Sequence, residues 1–236
     1  MSIHQIVINI SKIMKIPDNI KLTLLGSLHI SLEDAANIQP RYIKSQSEQK
    51  TRTKQKAEVF TPPCIVKKMN DSFDNSFKGS DIEYITRPCL EVTCGEAPFL
   101  TSRYDATTGE DIPVGKRIGL LDRKLQHISS TNPAEWSELA LASLKATYGY
   151  EWQEDSIYIA RTNLLLTTME HFFSKFNTEP DEETISKWAD VISYNIFRMD
   201  GVTMCVPETD IPAVVMNWQK GKLERFDGII EEHRLW

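Results

Sequence analysis

The sequence has little of what marks secreted, membrane or zinc-binding proteins. No apolar run approaches the ~20 residues that a transmembrane helix needs, and the N-terminus shows no signal-peptide pattern. Only four cysteines occur, none of them in a C-x-x-C pair, and no histidine stands at zinc-ligand spacing. We therefore expect a soluble, cytoplasmic protein with reduced thiols, no metal and no membrane contact.

Several enzyme motifs are also missing. The sequence contains no internal repeat, Walker loop, Ser-His-Asp nucleophile elbow or metal-binding helix, and its five histidines are scattered. Its 236 residues, 41% hydrophobic and 25% charged, suit one large globular domain or a domain with a small appendage. The net charge of −6 argues against general coating of nucleic acid, but a local basic face is compatible with it.

The first 58 residues differ from the rest of the chain in composition and in the spacing of their apolar residues. Residues 1–36 form an amphipathic segment, in which apolar side chains from Ile3 to Met14 recur at helical spacing. Pro17 and Asp18 break this pattern, and Lys21 to Leu25 fits either a strand or a second helix. We divide the chain into this segment, a basic linker over 37–58 and an α/β domain over 59–236.

The linker is rich in cations and almost free of large apolar side chains. One acid, Glu48, lies among its six basic residues, which are Arg41, Lys44, Lys50, Arg52, Lys54 and Lys56. One interpretation is a solvated, poorly ordered connection. The other is a segment that follows a DNA phosphate backbone, which would make binding strongly salt-dependent.

From Glu58 onward, short apolar runs alternate with helical patterns, which is typical of a parallel sheet flanked by helices. We predict strands at Cys89–Val92 and Tyr148–Glu151, and a short strand or turn over Ile118–Leu121 that ends in Asp122. Helices are predicted over Glu135–Thr147, Asp155–Phe176 and Asp181–Phe197, the last with an extended end.

The turn after the first strand is predicted to bind a nucleotide-like cofactor. Glu91 ends that strand, a turn of small residues follows, and a helix is expected next, as in doubly wound folds. Gly95 would let the backbone approach a ligand closely, and the helix N-terminus would offer N–H groups to an anion.

This segment resembles the D-P-x-C-G-x-G-x-F motif of adenine-N6 DNA methyltransferases, with Cys94, Gly95 and Phe99 in register and Glu91 in the position of the Asp. The resemblance implies a Rossmann-like S-adenosylmethionine-dependent methyltransferase fold. It also implies that Phe99 packs at the adenine side of S-adenosylmethionine, and that Cys94 to Glu96 face the methionine moiety. Val92 and Ala97 depart from the motif, and the Ala97 methyl group is expected beside the cofactor path.

Two further stretches resemble the same family, including the methylase subunits of restriction–modification systems. Residues 57–63 are similar to its G-x-x-x-T-P segment, which implies that Thr61 and Pro62 lie against the amino-acid end of the cofactor. The strand end at Glu151 precedes an A-R-x-N-L-L pattern over Ala160–Leu165, which implies that Glu151 accepts hydrogen bonds from ribose hydroxyls. Asp122 is the alternative for this role.

A fourth stretch, Ile192–Gly201, resembles the next cofactor strand of the family. By this resemblance Asp200 would bond the adenine amino group, with Asn195 as the alternative. Asp200 and Gly201 are equally typical of a simple turn.

The adenine-methylating tetrapeptide (D/N/S)-P-P-(Y/F/W) of the family is absent. Arg225–Ile230 resembles the strand that leads into that catalytic loop, but only six residues follow it. Three hypotheses follow. The chain is a DNA methylase subunit that needs a partner, such as a second methylase, restriction or specificity subunit. Alternatively it is a truncated or decoy module without catalysis, or a methyltransferase that acts on RNA or protein.

Overall fold

A computed structural model describes residues 15–56 and 61–233 of the chain. Over these residues the protein is α/β, as expected, with ten α-helices, a three-stranded parallel sheet and an antiparallel hairpin. None of the helices in these two ranges is long and apolar enough to cross a membrane. The predicted helix from Ile3 to Met14 lies outside the described residues.

The helices and strands are labelled in chain order. The helices are α1 Asp18–Leu25, α2 Leu32–Ala35, α3 Gln46–Lys56, α4 Pro63–Asn75, α5 Asp81–Thr86, α6 Leu120–Gln126, α7 Pro133–Lys145, α8 Glu154–Phe176, α9 Glu182–Asn195 and α10 Phe226–His233. The strands are β1 Cys89–Glu91, β2 Thr147–Glu151, β3 Ile196–Arg198, β4 Val214–Asn217 and β5 Lys222–Arg225. Two 3-10 turns lie at Arg41–Ile43 and Val114–Lys116.

The parallel sheet has the order β1-β2-β3, so the chain crosses it twice in the same direction. Helices α6 and α7 connect β1 to β2, and α8 and α9 connect β2 to β3. Because such crossovers are almost always right-handed, two successive ones in the same direction lie on the same face of the sheet. The packing agrees, since Cys89 and Ile196 from the strands share one large apolar core with residues of all four helices.

The helix face of the sheet is closely packed. Trp136 of α7, Phe172 of α8 and Trp188 of α9 form an aromatic cluster with ring centroids 5.6 to 6.3 Å apart. Arg161 of α8 is fully buried, and its guanidinium donates to the carbonyl oxygens of Ile196 and Leu24 at 2.9 and 2.7 Å. This side chain therefore fastens α1 to the sheet, because a buried guanidinium must have its N–H groups satisfied.

The opposite face has a smaller core. There Tyr150 and Phe197 of the sheet pack on Val215 of the hairpin and Phe226 of α10. The hairpin is antiparallel, with Val214 opposite Arg225.

The long periodic elements are confirmed to within a few residues. Strands β1 and β2 and helices α7, α8 and α9 lie where their patterns predict them, and the extended end after α9 is β3. Lys21 to Leu25 belongs to a helix, which is one of the two alternatives. The basic segment contains a 3-10 turn and helix α3, so it is not irregular where the structure describes it.

Three predictions of secondary structure are wrong. Ile118 to Asp122 is not a strand or turn, because Leu120 begins helix α6; a short apolar run cannot be told from a buried helix by periodicity alone. The run after Arg225 is also helical, since Phe226, Ile229 and Ile230 stand at helical spacing.

The third wrong prediction is a helix directly after the small-residue turn. Residues 96–119 are irregular apart from the 3-10 turn, and α6 begins only at Leu120. Thr93, Gly95 and Ala97 all have left-handed backbone conformations, with φ of 47°, 54° and 62°. Such alternation prevents an α-helix from starting there, since its residues need negative φ. The helix N-terminus expected to bind an anion is therefore not at this turn.

Candidate ligand site at the carboxyl ends of the strands

The turn after β1 contacts the end of β2. The Gly95 N–H donates to Oε2 of Glu151 at 2.9 Å, and the Cys94 N–H donates to the Tyr150 carbonyl at 2.8 Å. No heavy atom outside its immediate chain neighbours lies within 4 Å of the position that a Gly95 Cβ would occupy. The sequence thus correctly places the turn and the acid side by side, with open space over Gly95.

Glu151 also shapes the start of helix α8. Its Oε1 accepts hydrogen bonds from the N–H groups of Trp152 and Gln153 at 2.7 and 3.1 Å. Each carboxylate oxygen has two lone-pair directions, so Oε2 can accept a ligand hydroxyl in addition to the Gly95 N–H. The side chain is half-buried, which leaves part of it accessible.

Glu91 has a different environment from Glu151. Its buried carboxylate accepts hydrogen bonds from the Phe99 and Leu100 N–H groups at 3.3 and 3.2 Å. The pKa of Glu91 is raised to about 8, mainly by burial and to a smaller extent by the nearby Glu151, against the lowering effect of these two N–H groups. Glu91 therefore holds the chain behind the turn and presents no exposed charge to a ligand.

Cys94 and Ala97 point into the protein. Burial raises the pKa of the Cys94 thiol well above its usual range, and the charges of Glu91 and Glu151 act in the same direction. The thiol is therefore neutral and is not a nucleophile. Ala97 is fully buried in the large core, so its methyl group does not line the open side of the turn, contrary to the prediction.

The carboxylate of Glu96 binds other parts of the protein. Its Oε1 accepts the Arg41 N–H and its Oε2 accepts the Tyr104 hydroxyl, both at 2.7 Å. The Asn163 side chain donates to the Glu96 carbonyl at 3.0 Å and to the Tyr104 hydroxyl oxygen at 3.1 Å. Glu96 thus fastens the basic segment to the turn, and both of its carboxylate oxygens already accept hydrogen bonds from this chain.

Tyr104 and Asn163 are site residues that the sequence did not single out for this role. Burial, followed by the charge of Glu96, raises the pKa of Tyr104, so the phenol remains protonated as a donor. Asn163 lies within the A-R-x-N-L-L pattern, which was the available signal. No sequence pattern marks Tyr104, because it meets Glu96 only through the path of the irregular loop that contains both residues.

Phe99, Thr61 and Pro62 are connected through helix α4. Thr61 and Pro62 immediately precede this helix, Thr61 half-buried and Pro62 exposed. Asn70 of the same helix donates to the carbonyl oxygens of Phe99 and Ile118 at 2.9 and 3.0 Å. The upstream T-P segment is therefore linked to the chain behind the turn through Asn70.

The structure separates the candidates for the ribose and adenine contacts. Asp122 is fully buried and accepts from the Ser102 N–H and pairs with His171, at 2.8 and 2.9 Å, so it cannot reach a ribose. Asn195 is equally buried and donates to two backbone carbonyls. Asp200 follows β3, but its carboxylate accepts the Val202 N–H at 2.8 Å within a turn, which lowers its pKa.

The basic segment packs close to the same edge of the sheet. Lys44 and Arg52 pair with Asp155 in the first turn of α8, at 3.7 and 2.7 Å. The Arg41 guanidinium donates to the Thr53 hydroxyl at 2.7 Å. Lys50 and Lys54 are exposed and lie four residues apart on α3, hence on one face of this helix. The side chain of Lys56 lies outside the described residues.

Comparison of this sequence and structure with known proteins identifies no relative. No family model matches the sequence, and neither the curated proteins nor the solved structures contain a significant match.

Proposed function

We propose that this chain binds S-adenosylmethionine at the turn after β1 and serves as the cofactor-binding part of a DNA adenine-N6 methyltransferase that needs a partner. The carrying observation is the hydrogen bond between Gly95 and Glu151, beneath open space. Ligands of open parallel sheets bind outside the carboxyl ends of the strands. A carboxylate at this position suits ribose hydroxyls, and an unobstructed glycine suits close approach of the ligand to the backbone.

The topology supports a Rossmann-like assignment. Three parallel strands in the order β1-β2-β3, joined by helical crossovers, correspond to one βαβαβ half of a doubly wound sheet. In this half, β1 carries the turn that receives the cofactor, and the neighbouring β2 carries the acid.

Catalysis is expected to need a second chain. Adenine methylation requires a group that aligns the exocyclic amine with the cofactor methyl group and an aromatic side chain that stacks on the flipped base. The sequence lacks the tetrapeptide that does this, and helix α10 stands where a strand leading to it was expected. We therefore assign no catalytic residue to this chain, and expect the purified protein to transfer no labelled methyl group to DNA.

DNA contact is assigned to the exposed side of α3. Lys50 and Lys54 are free to face phosphates, whereas Lys44 and Arg52 first have to leave Asp155. The proposed DNA contact therefore involves fewer than the six cations of the segment, because Arg41, Lys44 and Arg52 already bind groups of the same chain.

A second candidate is a cofactor-binding module that occupies DNA or a partner protein without methylating it. The missing tetrapeptide favours it as much as it favours a split enzyme. The two differ when a chain carrying (N/D)-P-P-(Y/F) is added: the split enzyme then methylates DNA, and the module does not.

Cofactor binding can be tested by calorimetric titration of S-adenosylmethionine into the wild type and into Gly95→Asn and Gly221→Asn. Both glycines have positive φ, of 54° and 64°, and both have open space at the Cβ position. Asn tolerates this conformation better than most residues, so the pair matches in backbone cost. Gly95→Asn should weaken binding at least about tenfold by filling the ligand space, and Gly221→Asn should not. Equal affinities of the two variants for S-adenosylmethionine would show that the cofactor does not bind at the turn around Gly95.

A further inference from the structure

Strand β1 has one free edge in the described structure. It pairs with β2 on one side, and no other described strand joins it. The Cys89 N–H donates to the Ala146 carbonyl on the β2 side, so the N–H and C=O of the next residue, Leu90, point away from β2. Leu90 is 42% exposed. An edge of this kind can accept an added strand.

An apolar groove adjoins this edge. It has a volume of about 570 Å³ and lies between the sheet and the β4–β5 hairpin with α10. Its main apolar lining residues are Leu90, Tyr148, Phe197, Trp218, Phe226 and Ile229. Apolar surface of this size, continuous with unpaired backbone groups, suits a polypeptide better than a small polar ligand.

The groove follows from the topology of the sheet. Both crossovers cover the helix face, so the opposite face is left to the C-terminal elements. Val215 and Phe226 reach Tyr150 and Phe197 over β2 and β3, but the described residues leave the surface over β1 open. In a complete doubly wound sheet another strand lies beside β1 and its crossover helix covers this face.

The groove also carries one unbalanced charge. Lys145 is the charged residue of its lining, and its ammonium lies 5.5 Å from the centroid of the Trp218 ring. Among the described side chains, those of residues 15–54 and 61–229, it forms no ion pair with a carboxylate. A partner that buries this side chain should supply an acidic group, because a buried unpaired charge is costly.

We propose that the free edge of β1 and this groove dock an extended segment of a partner polypeptide. The segment adds a strand parallel to β1, places apolar side chains in the groove and sets an acidic side chain against Lys145. Such a strand would end beside the turn Thr93–Ala97. The inference rests on the proposed function in one respect only: it identifies this partner with the chain that supplies the catalytic loop.

A second copy of this chain fits the groove less well. Two copies docked groove to groove about a two-fold axis would bring their Lys145 side chains to the same interface without a counter-charge from either lining. Charge complementarity therefore favours a different, acid-bearing partner.

The test is selection from a phage-displayed library of 12-residue peptides against the wild type, Lys145→Glu and Lys187→Glu. Lys187 is exposed on α9 and serves as the matched control. The wild type and Lys187→Glu should enrich peptides that alternate apolar residues and contain an acid. Lys145→Glu should bind these peptides about tenfold more weakly or worse, and should enrich basic ones instead.

Hydrogen exchange then locates the added strand. The selected peptide should slow exchange of the Leu90 amide and leave that of Gly221 unchanged. The inference is overturned if no peptide is enriched, if Lys145→Glu binds the selected peptides equally well, or if the Leu90 amide is not protected. A concentration-dependent dimer abolished by Lys145→Glu would overturn it in favour of a second copy. No cofactor is present in these experiments, so they can fail while S-adenosylmethionine binding succeeds, and the reverse.

Discussion

The two faces of the parallel sheet differ in how completely the chain covers them. On the helix face, Trp136, Leu164 and Trp188 are at most 1% exposed, and Glu170 of helix α8 belongs to a buried ionic network. On the opposite face Leu90 is 42% exposed, and the hairpin covers mainly β2 and β3. The difference teaches that the packing of the crossover helices stabilises the fold, whereas the open face contributes less buried apolar surface, and it is on this face and at the carboxyl edge that the two proposals place their ligand and partner.

The largest expected loss of stability comes from the ionic network on the helix side. Glu170 of α8 accepts two hydrogen bonds from Arg103, at 3.1 and 2.6 Å, and pairs with Arg117 at 2.6 Å. Burial acts to raise its pKa, but the two guanidinium groups lower it overall. Glu170→Gln leaves buried cations unpaired and should cost about 3–5 kcal/mol in the free energy of unfolding by urea. Glu183→Gln, in an exposed pair, should change little; equal effects would contradict a closed helix face.

A matched pair of leucines compares the two faces directly. Leu164 is fully buried in α8, and Leu90 borders the groove. Leu164→Ala should lower the free energy of unfolding by about 2–5 kcal/mol, because it opens a cavity that the packed core cannot close. Leu90→Ala should cost less than about 1 kcal/mol, since much of its surface is already exposed. Similar losses at both positions would show that the open face is covered after all.

The pH dependence of stability should report on Glu91, at the border between the core and the ligand edge. Its pKa is about 8 in the folded protein against a usual 4.5, so folding favours the neutral carboxyl. This stabilisation is fully present below the unfolded pKa and is lost as the pH rises from about 4.5 through 8, by ~1.4 kcal/mol per pH unit. Unfolding by urea at several pH values should show this decline in the wild type and a flatter profile in Glu91→Gln. Identical profiles would mean that Glu91 is not held neutral.

The smallest effect is expected for DNA binding by α3. Replacing Lys50 and Lys54 with Gln should reduce the slope of log affinity against log salt concentration by about 0.9 for each phosphate that the variant no longer neutralises. Arg52→Gln should change the slope less, because Arg52 already pairs with Asp155. Lys187→Gln on α9 is the control. An unchanged slope in the double variant would show that Lys50 and Lys54 of α3 do not contact DNA phosphates.

The parts of the fold that the sequence predicts are those with strong local periodicity. Helices α7 to α9 have long apolar patterns, and their ends agree with the structure to within a few residues. The left-handed conformations of Thr93 and Ala97 have no such signal, because neither residue is a glycine or asparagine. The irregular chain after the turn was therefore not predictable.

The candidate site shows the same division. Gly95 and Glu151 were predicted together from the motif at Cys94–Gly95 and from the A-R-x-N-L-L pattern that follows Glu151, and the pairing of β1 with β2 brings them into contact. The role of Glu96 was missed, because its partner Arg41 lies 55 residues away and is placed by tertiary folding. Asp122 was the alternative to Glu151 in sequence, but it lies in helix α6 and is fully buried.

The most direct test of cofactor binding is a ¹⁵N-resolved NMR titration of the protein with S-adenosylmethionine. The amide resonances of Gly95, Trp152 and Gln153 should shift together and saturate, because their N–H groups surround the Glu151 carboxylate. The amide resonance of Gly221, in the turn of the β4–β5 hairpin, should stay in place. Saturating shifts confined to other residues, or none at all, would contradict a nucleoside site at this edge of the sheet.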